Sequence, residues 1–160
     1  MSAEIRPIGG KSYQTKQSKL CQLGSSNPAR WLLIGKSQSG KGVALQNLLL
    51  NHFRGCYARI FCFAPTVHLD DSTYEPIKKY ILEELKHDVK KEGDFFFASW
   101  DEGRVRKIIA DHGKLIEAQK QRGQTKMHGI AIVCDDFADD SRVSHNPQNS
   151  LTALFFIGKT

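Results

Sequence analysis

Long hydrophobic runs are missing from this 160-residue chain. No apolar stretch approaches the roughly 20 residues that span a bilayer, and the N-terminus carries no apolar signal core. The pattern predicts a cytoplasmic or nuclear protein with no membrane partner. Cysteine pairs are missing too. Cys21, Cys56, Cys62 and Cys134 form no Cys-x-x-Cys unit, and Cys62 and Cys134 fall inside apolar strand-like runs, so buried free thiols are expected rather than disulfides or zinc. The six histidines, His112 and His128 among them, show no His-x-x-x-His spacing, so no metal cluster is expected. Acidic residues are scarce in the first thirty positions, where Arg6, Lys11, Lys16, Lys19 and Arg30 stand against Glu4 alone. That arm therefore carries four of the chain's six net positive charges. It either attracts an anionic polymer or is a solvated tail, and Tyr13 is its one aromatic residue.

What is present centres on Arg30 to Phe53. Trp31 to Ile34 is a four-residue apolar run expected to form a short buried strand. The run Gly35-Lys36-Ser37-Gln38-Ser39-Gly40-Lys41-Gly42 follows, and Val43 to Phe53 carries apolar residues at helical spacing. Strand, Gly-rich turn and helix is the context a phosphate loop requires. Glycines let backbone N–H groups turn inward around phosphate oxygens, the helix start adds partial positive charge, and the Lys41 ammonium reaches the terminal phosphates. Residues Gly35 to Val43 are thus the candidate ATP or ADP site. The position after the lysine, where a Ser or Thr hydroxyl normally ligates magnesium, holds Gly42; phosphate binding should survive and metal affinity or turnover should suffer. Gly-Lys-Gly also resembles the loop of adenylate kinases, but there a Thr follows, and here it is Val43.

The rest of the chain reads as one α/β domain, residues 30–160, behind a basic polar arm at 1–29 in which Met1 to Asn27 is mostly irregular. Pro28 marks the entry to the first strand. Tyr57 to Ala64 is a second β-prone run closed by Pro65; with the preceding helix it makes a βαβ unit and hence a mainly parallel sheet. Asp70 and Asp71 suit either a turn or a pair facing a ligand at the strand ends. Tyr74, Ile77, Ile81 and Leu85 line one face of a helix, with Lys90 and Lys91 in a solvated continuation. Phe95-Phe96-Phe97 is a short strand. Val105, Ile108, Ile109, His112, Leu115, Ile116 and Gln119 trace a long helix to about Arg122, which Gly113 could divide, and a capping Gly lies in the connection at 123–129.

The second chemical landmark is Ile130-Ala131-Ile132-Val133-Cys134-Asp135-Asp136. An apolar strand that delivers two carboxylates at its end suits magnesium binding by one and polarisation of an attacking water by its neighbour; it also suits a plain turn. Strand side chains alternate, so the turn must redirect one of the two acids. Asp139 and Asp140 are further acids, expected to be solvated.

Together, Gly35 to Gly42, Phe61-Cys62-Phe63-Ala64-Pro65-Thr66, Asp71 to Tyr74, the strand ending at Asp135-Asp136 and Leu154-Phe155-Phe156-Ile157-Gly158-Lys159 resemble the DNA-packaging ATPases of poxviruses, giant viruses and related virophages or transposons. These belong to the FtsK and HerA superfamily of hexameric DNA pumps. The resemblance covers about residues 30–160. It implies a P-loop NTPase fold, a three-layer sandwich around a mainly parallel sheet. It also implies ATP and magnesium as cofactors, double-stranded DNA as a partner and a homo-oligomer, a hexamer. By the same resemblance Lys41 binds the β and γ phosphates, Asp135 organises magnesium and Asp136 is the general base. The family continues into a sensor strand that lies between the phosphate-loop strand and the acidic strand; the sequence ends at Thr160 before it, so a truncated nucleotide-binding part is expected. A non-hydrolysing nucleotide-binding module and a small nucleotide kinase are the alternatives.

Overall fold

A computed structural model describes residues 13–18, 31–36, 38–66 and 73–137. In order these form β1 (Gln14–Thr15), α1 (Lys41–Asn47) running on as a π-helical turn (Leu48–His52), β2 (Tyr57–Phe63), α2 (Glu75–Glu83), α3 (Val89–Glu92), β3 (Phe96–Phe97), α4 (Glu102–Gln121), β4 (Lys126–Met127) and β5 (Gly129–Cys134). Ser37, Asp70, Asp71, Asp139, Asp140, Cys21, Pro28, Leu154 to Lys159 and most of the basic arm lie outside the described residues.

The main sheet has the order β3-β2-β5, and both pairings are parallel. Cys62 and Phe63 face Phe96 and Phe97 on one side, and Phe63 faces Cys134 on the other. Parallel neighbours cannot be joined by a hairpin, so each pairing demands a crossover; α2 and α3 lie between β2 and β3, and α4 between β3 and β5. Because β2 is central, it is buried on both faces, which fits its β-branched and aromatic content. Ile60, Cys62 and Ala64 pack with Leu49, Tyr74, Ile77, Tyr80 and Ile81. Phe63 packs instead with Trp100, Val105 and Phe137. The strand's alternation thus sends one set of side chains toward the π-helical turn and α2, and the other toward α4, giving a parallel sheet with helices on both faces.

Helix ends follow local chemistry. Asp101 caps α4, its carboxylate accepting from the Arg104 N–H at 3.0 Å. At the other end Gly123 takes φ 74°, with Gly123 N–H donating to Lys120 O at 2.9 Å and Gln124 N–H to Gln119 O at 3.0 Å, a pattern that satisfies the last carbonyls. Gly113 does not divide the helix, which runs unbroken for 20 residues.

Trp31 to Ile34 corrects the sequence-based expectation. The run forms no strand and is exposed, Leu32 at 72% and Ile34 at 85%. A strand needs a neighbour for its N–H and C=O groups, and this run pairs with none of the described strands: β2 has both edges occupied, by β3 and β5, and β5 pairs with β2 alone. Trp31 instead sets its ring edge-on to Phe53, with centroids 5.8 Å apart. Within the arm, Gln14 and Thr15 pair in parallel with Lys126 and Met127, so this part of the leader is bound to the body of the protein.

Candidate phosphate site

The loop before α1 curls around a lysine. Gln38 and Gly40 adopt left-handed conformations, φ 59° and 85°, and Gly40 stands at the helix N-cap. Gln38 carries a Cβ there, a conformation that is uncommon outside glycine. The turn is closed by Ser39 N–H donating to Lys36 O at 3.3 Å, and the helix begins with Ala44 N–H donating to Gly40 O at 2.9 Å. Lys41 folds back so that its ammonium donates to Gly35 O at 2.7 Å and Lys36 O at 3.0 Å. Of the sequence-predicted residues, Gly35, Lys36, Gln38, Ser39 and Gly40 form the turn, Lys41 and Gly42 open the helix, and Val43 faces solvent.

The acidic landmark lies at the end of β5. Asp135 N–H donates to Phe63 O at 2.9 Å, which extends the β2–β5 ladder by one bond. Its carboxylate Oδ2 accepts from the Tyr74 hydroxyl at 2.6 Å. Asp136 is exposed and takes φ 60°, so the chain turns sharply at this residue and the two acids leave the strand differently. Phe137 then dips back to pack beside Trp100, ring centroids 6.2 Å apart.

Three residues that sequence reasoning did not assign to the site, Thr73, Gln46 and Tyr74, join these landmarks. A Cβ placed on Gly42 would lie 2.6 Å from the Thr73 hydroxyl oxygen, so Thr73 fills the space a side chain at 42 would occupy. Gln46 of α1 donates its amide to Thr73 O at 3.2 Å. Tyr74, next in the chain, reaches Asp135. Among the described residues no ion pair joins Lys41 to either carboxylate; the connection runs from the start of α1 through Thr73 and Tyr74 to Asp135. The sequence signal was the Asp71-to-Tyr74 segment, where Tyr74 read only as a helix-face residue.

The described cysteines add no nucleophile. Burial pushes the Cys134 thiol up to about 12 and raises Cys62 further, while Cys56 is raised by burial and partly relieved by Lys16. These three thiols are free and poorly disposed to act as nucleophiles. A hollow of about 240 Å³ beside the start of α4 is lined by Asp94, Phe96, Phe97, Ser99, Asp101 and Arg104, and none of the candidate phosphate or acid residues borders it. No group of three or more His, Cys, Asp or Glu is gathered among the described residues, and no described helix is long and apolar enough to cross a membrane.

Compared with family models, curated proteins and solved structures, the chain matches none.

Proposed function

We propose that this chain is the nucleotide-binding part of an ATP-hydrolysing motor that moves double-stranded DNA, of the packaging-ATPase type its motifs resemble. The observation that carries the reading is the Lys41 ammonium held within its loop by the Gly35 and Lys36 carbonyls, linked through Thr73 and Tyr74 to a carboxylate at the end of a parallel strand. A cation held at the surface by a glycine-containing turn at a helix start is suited to the β and γ phosphates of ATP. On the acid side the fold supports it as well, because ligands of open parallel sheets sit beyond the carboxyl ends of the strands, where Asp135 and Asp136 lie; the loop keeps its turn and helix but follows a run, Trp31 to Ile34, that forms no strand.

The oxygens at the site, the Asp135 carboxylate and the Thr73 hydroxyl, are the hard donors magnesium prefers, and magnesium keeps several waters, so few protein ligands suffice. When bound, magnesium would neutralise charge developing on the phosphate oxygens. Lys41 would hold the β and γ phosphates. Asp135 would be the protein's carboxylate toward the metal, oriented by the Tyr74 hydroxyl. Asp136, exposed at the turn, would accept a proton from water as the water oxygen bonds to the γ phosphorus and the β–γ bridging bond breaks, releasing ADP and phosphate. The five cations of the first thirty residues favour an anionic polymer as partner.

A second reading, a module that holds nucleotide without turnover, is favoured by Gly42, which lacks the hydroxyl of the usual metal-side residue. Calorimetric titration with ATP and ADP, set beside steady-state hydrolysis with and without duplex DNA, separates the two. DNA-stimulated hydrolysis supports the motor, and binding without hydrolysis supports the module. Absence of nucleotide binding sinks both.

A further inference from the structure

We propose that Thr73 supplies, from a separate segment of the chain, the metal-side hydroxyl that position 42 lacks. This rests on the nucleotide reading above and assigns a further residue to that site. At the second residue of a helix that follows a phosphate loop, a Ser or Thr would present its Oγ one bond from Cβ. In this chain that residue is Gly42, and the atom nearest to its missing Cβ is the Thr73 hydroxyl oxygen, at 2.6 Å, with Thr73 Cγ2 at 3.0 Å and Cβ at 3.4 Å. The threonine does not merely lie nearby; its oxygen intrudes into the volume that a β-carbon at 42 would need. A hydroxyl that residue 42 does not carry is thus present within 2.6 Å of its β-carbon position, from another segment of the chain.

Two hydrogen bonds hold it there. The Gln46 amide, one turn along the same helix, donates to the Thr73 carbonyl at 3.2 Å and fixes the backbone from the loop side. The adjacent Tyr74 is buried and donates its hydroxyl to Asp135 Oδ2 at 2.6 Å, fixing the same segment from the acid side. Thr73 thus stands between the start of the phosphate-loop helix and the strand-end carboxylate, on a backbone tied to both. A hydroxyl is a hard neutral oxygen donor, the class magnesium takes alongside a carboxylate, phosphate oxygens and water. Gly42 follows from the same arrangement: any larger residue there would displace Thr73.

The test uses the whole chain and reads nucleotide binding, not turnover. Calorimetry with ADP and with ATP is run in magnesium and in EDTA for the wild type, Thr73→Val, Thr73→Ser and the double exchange Gly42→Ser with Thr73→Gly; circular dichroism and melting curves establish that each variant folds. Magnesium should tighten wild-type binding about tenfold or more. Thr73→Val should lose most of that enhancement while its binding in EDTA stays within about twofold of wild type. Thr73→Ser should retain the enhancement, and the double exchange should regain it, because the hydroxyl returns to residue 42. If folded Thr73→Val keeps the full magnesium enhancement, the inference is overturned while the phosphate-loop reading stands. If Thr73→Val weakens binding equally with and without magnesium, Thr73 shapes the loop rather than serving the metal, and the inference is also overturned. If the wild type binds no nucleotide under either condition, the nucleotide reading fails and this inference falls with it.

Discussion

At the scale of single residues, Lys41 has two tasks, since it would meet phosphate and already bonds its own loop. Lys41→Ala removes charge-assisted hydrogen bonds of about 1.5–3 kcal/mol, so nucleotide affinity should fall about tenfold or more. Equal calorimetric affinity for the mutant and wild type would refute the assignment. From sequence alone, Gly42→Thr restores a hydroxyl and should strengthen magnesium-dependent binding. The structure reverses that expectation, because the new Cβ would meet the Thr73 oxygen at 2.6 Å. The single substitution should lower the melting temperature, and pairing it with Thr73→Gly should recover it; an unchanged melting temperature for the single mutant would show that Thr73 moves aside freely. Titration adds a pH signature. Burial raises Cys134 and Tyr57 to about 12, from ordinary values of 9.0 and 10.0. The folded state therefore keeps protons that the unfolded chain releases, and stability is lost as pH climbs above about 9. His112 shifts the other way. Burial, then the His128 charge, lowers it below its ordinary 6.5, so the folded state resists a proton that the unfolded chain accepts, and stability declines as pH falls below that value. Denaturant midpoints unchanged between pH 8 and 11, or between pH 7 and 5, would contradict the respective claim.

At the scale of elements, the link from α2 to β5 is the part most open to a clean test. Tyr74→Phe keeps the ring packed against Phe96 but removes the hydroxyl that Asp135 accepts. The loss should cost about 1–3 kcal/mol, read as a lower denaturant midpoint. Asp135→Asn should cost less, since the amide oxygen can still accept. A second element-level prediction concerns edges. Among the described residues β5 pairs only with β2, and the apolar run Trp31 to Ile34 lies exposed. A strand edge open among the described residues and an exposed apolar run each invite association, so sedimentation should show concentration-dependent self-association that Leu32→Lys with Ile34→Lys reduces. A strictly monomeric wild type across micromolar concentrations would count against it. The same elements show what a sequence makes legible. β2, α2, α4 and β5 were readable because each carries its own information: β-branched runs, a helical apolar face, Asp101 as cap and Gly123 as stop. The chain from Trp31 to Ile34 was misread because a strand is a relation between segments, and an apolar run does not reveal whether it will pair with an edge. Lys41, Asp135 and Asp136 were legible as candidates, whereas Thr73 was not, because its significance depends on which loop packs against Gly42.

At the scale of the whole molecule, the charge distribution makes a prediction about DNA that is independent of the site. Four of six net positive charges lie in residues 1–30, and part of that stretch, Gln14 and Thr15, is paired to β4. DNA binding by such a surface should be independent of base sequence and should weaken steeply with salt through counterion release. Deleting Met1 to Tyr13 removes Arg6 and Lys11 but spares the paired residues, and should reduce both affinity and salt slope. Values equal to wild type would assign the arm no part in binding. The aromatic packing near the acids has a practical consequence of its own. The chain has two tryptophans, one shortly before the phosphate loop in sequence and one packed beside the acidic turn. Trp31 is partly exposed four residues before Gly35, whereas Trp100 is buried against Phe63 and against Phe137, which directly follows Asp136. The molecule therefore carries its own pair of optical probes. Emission from Trp100 in a Trp31→Phe protein should respond to rearrangement of the acidic turn, and emission from Trp31 in a Trp100→Phe protein to closure of the loop. Stopped-flow mixing with nucleotide could then time the loop and the acidic turn separately, without attaching any dye.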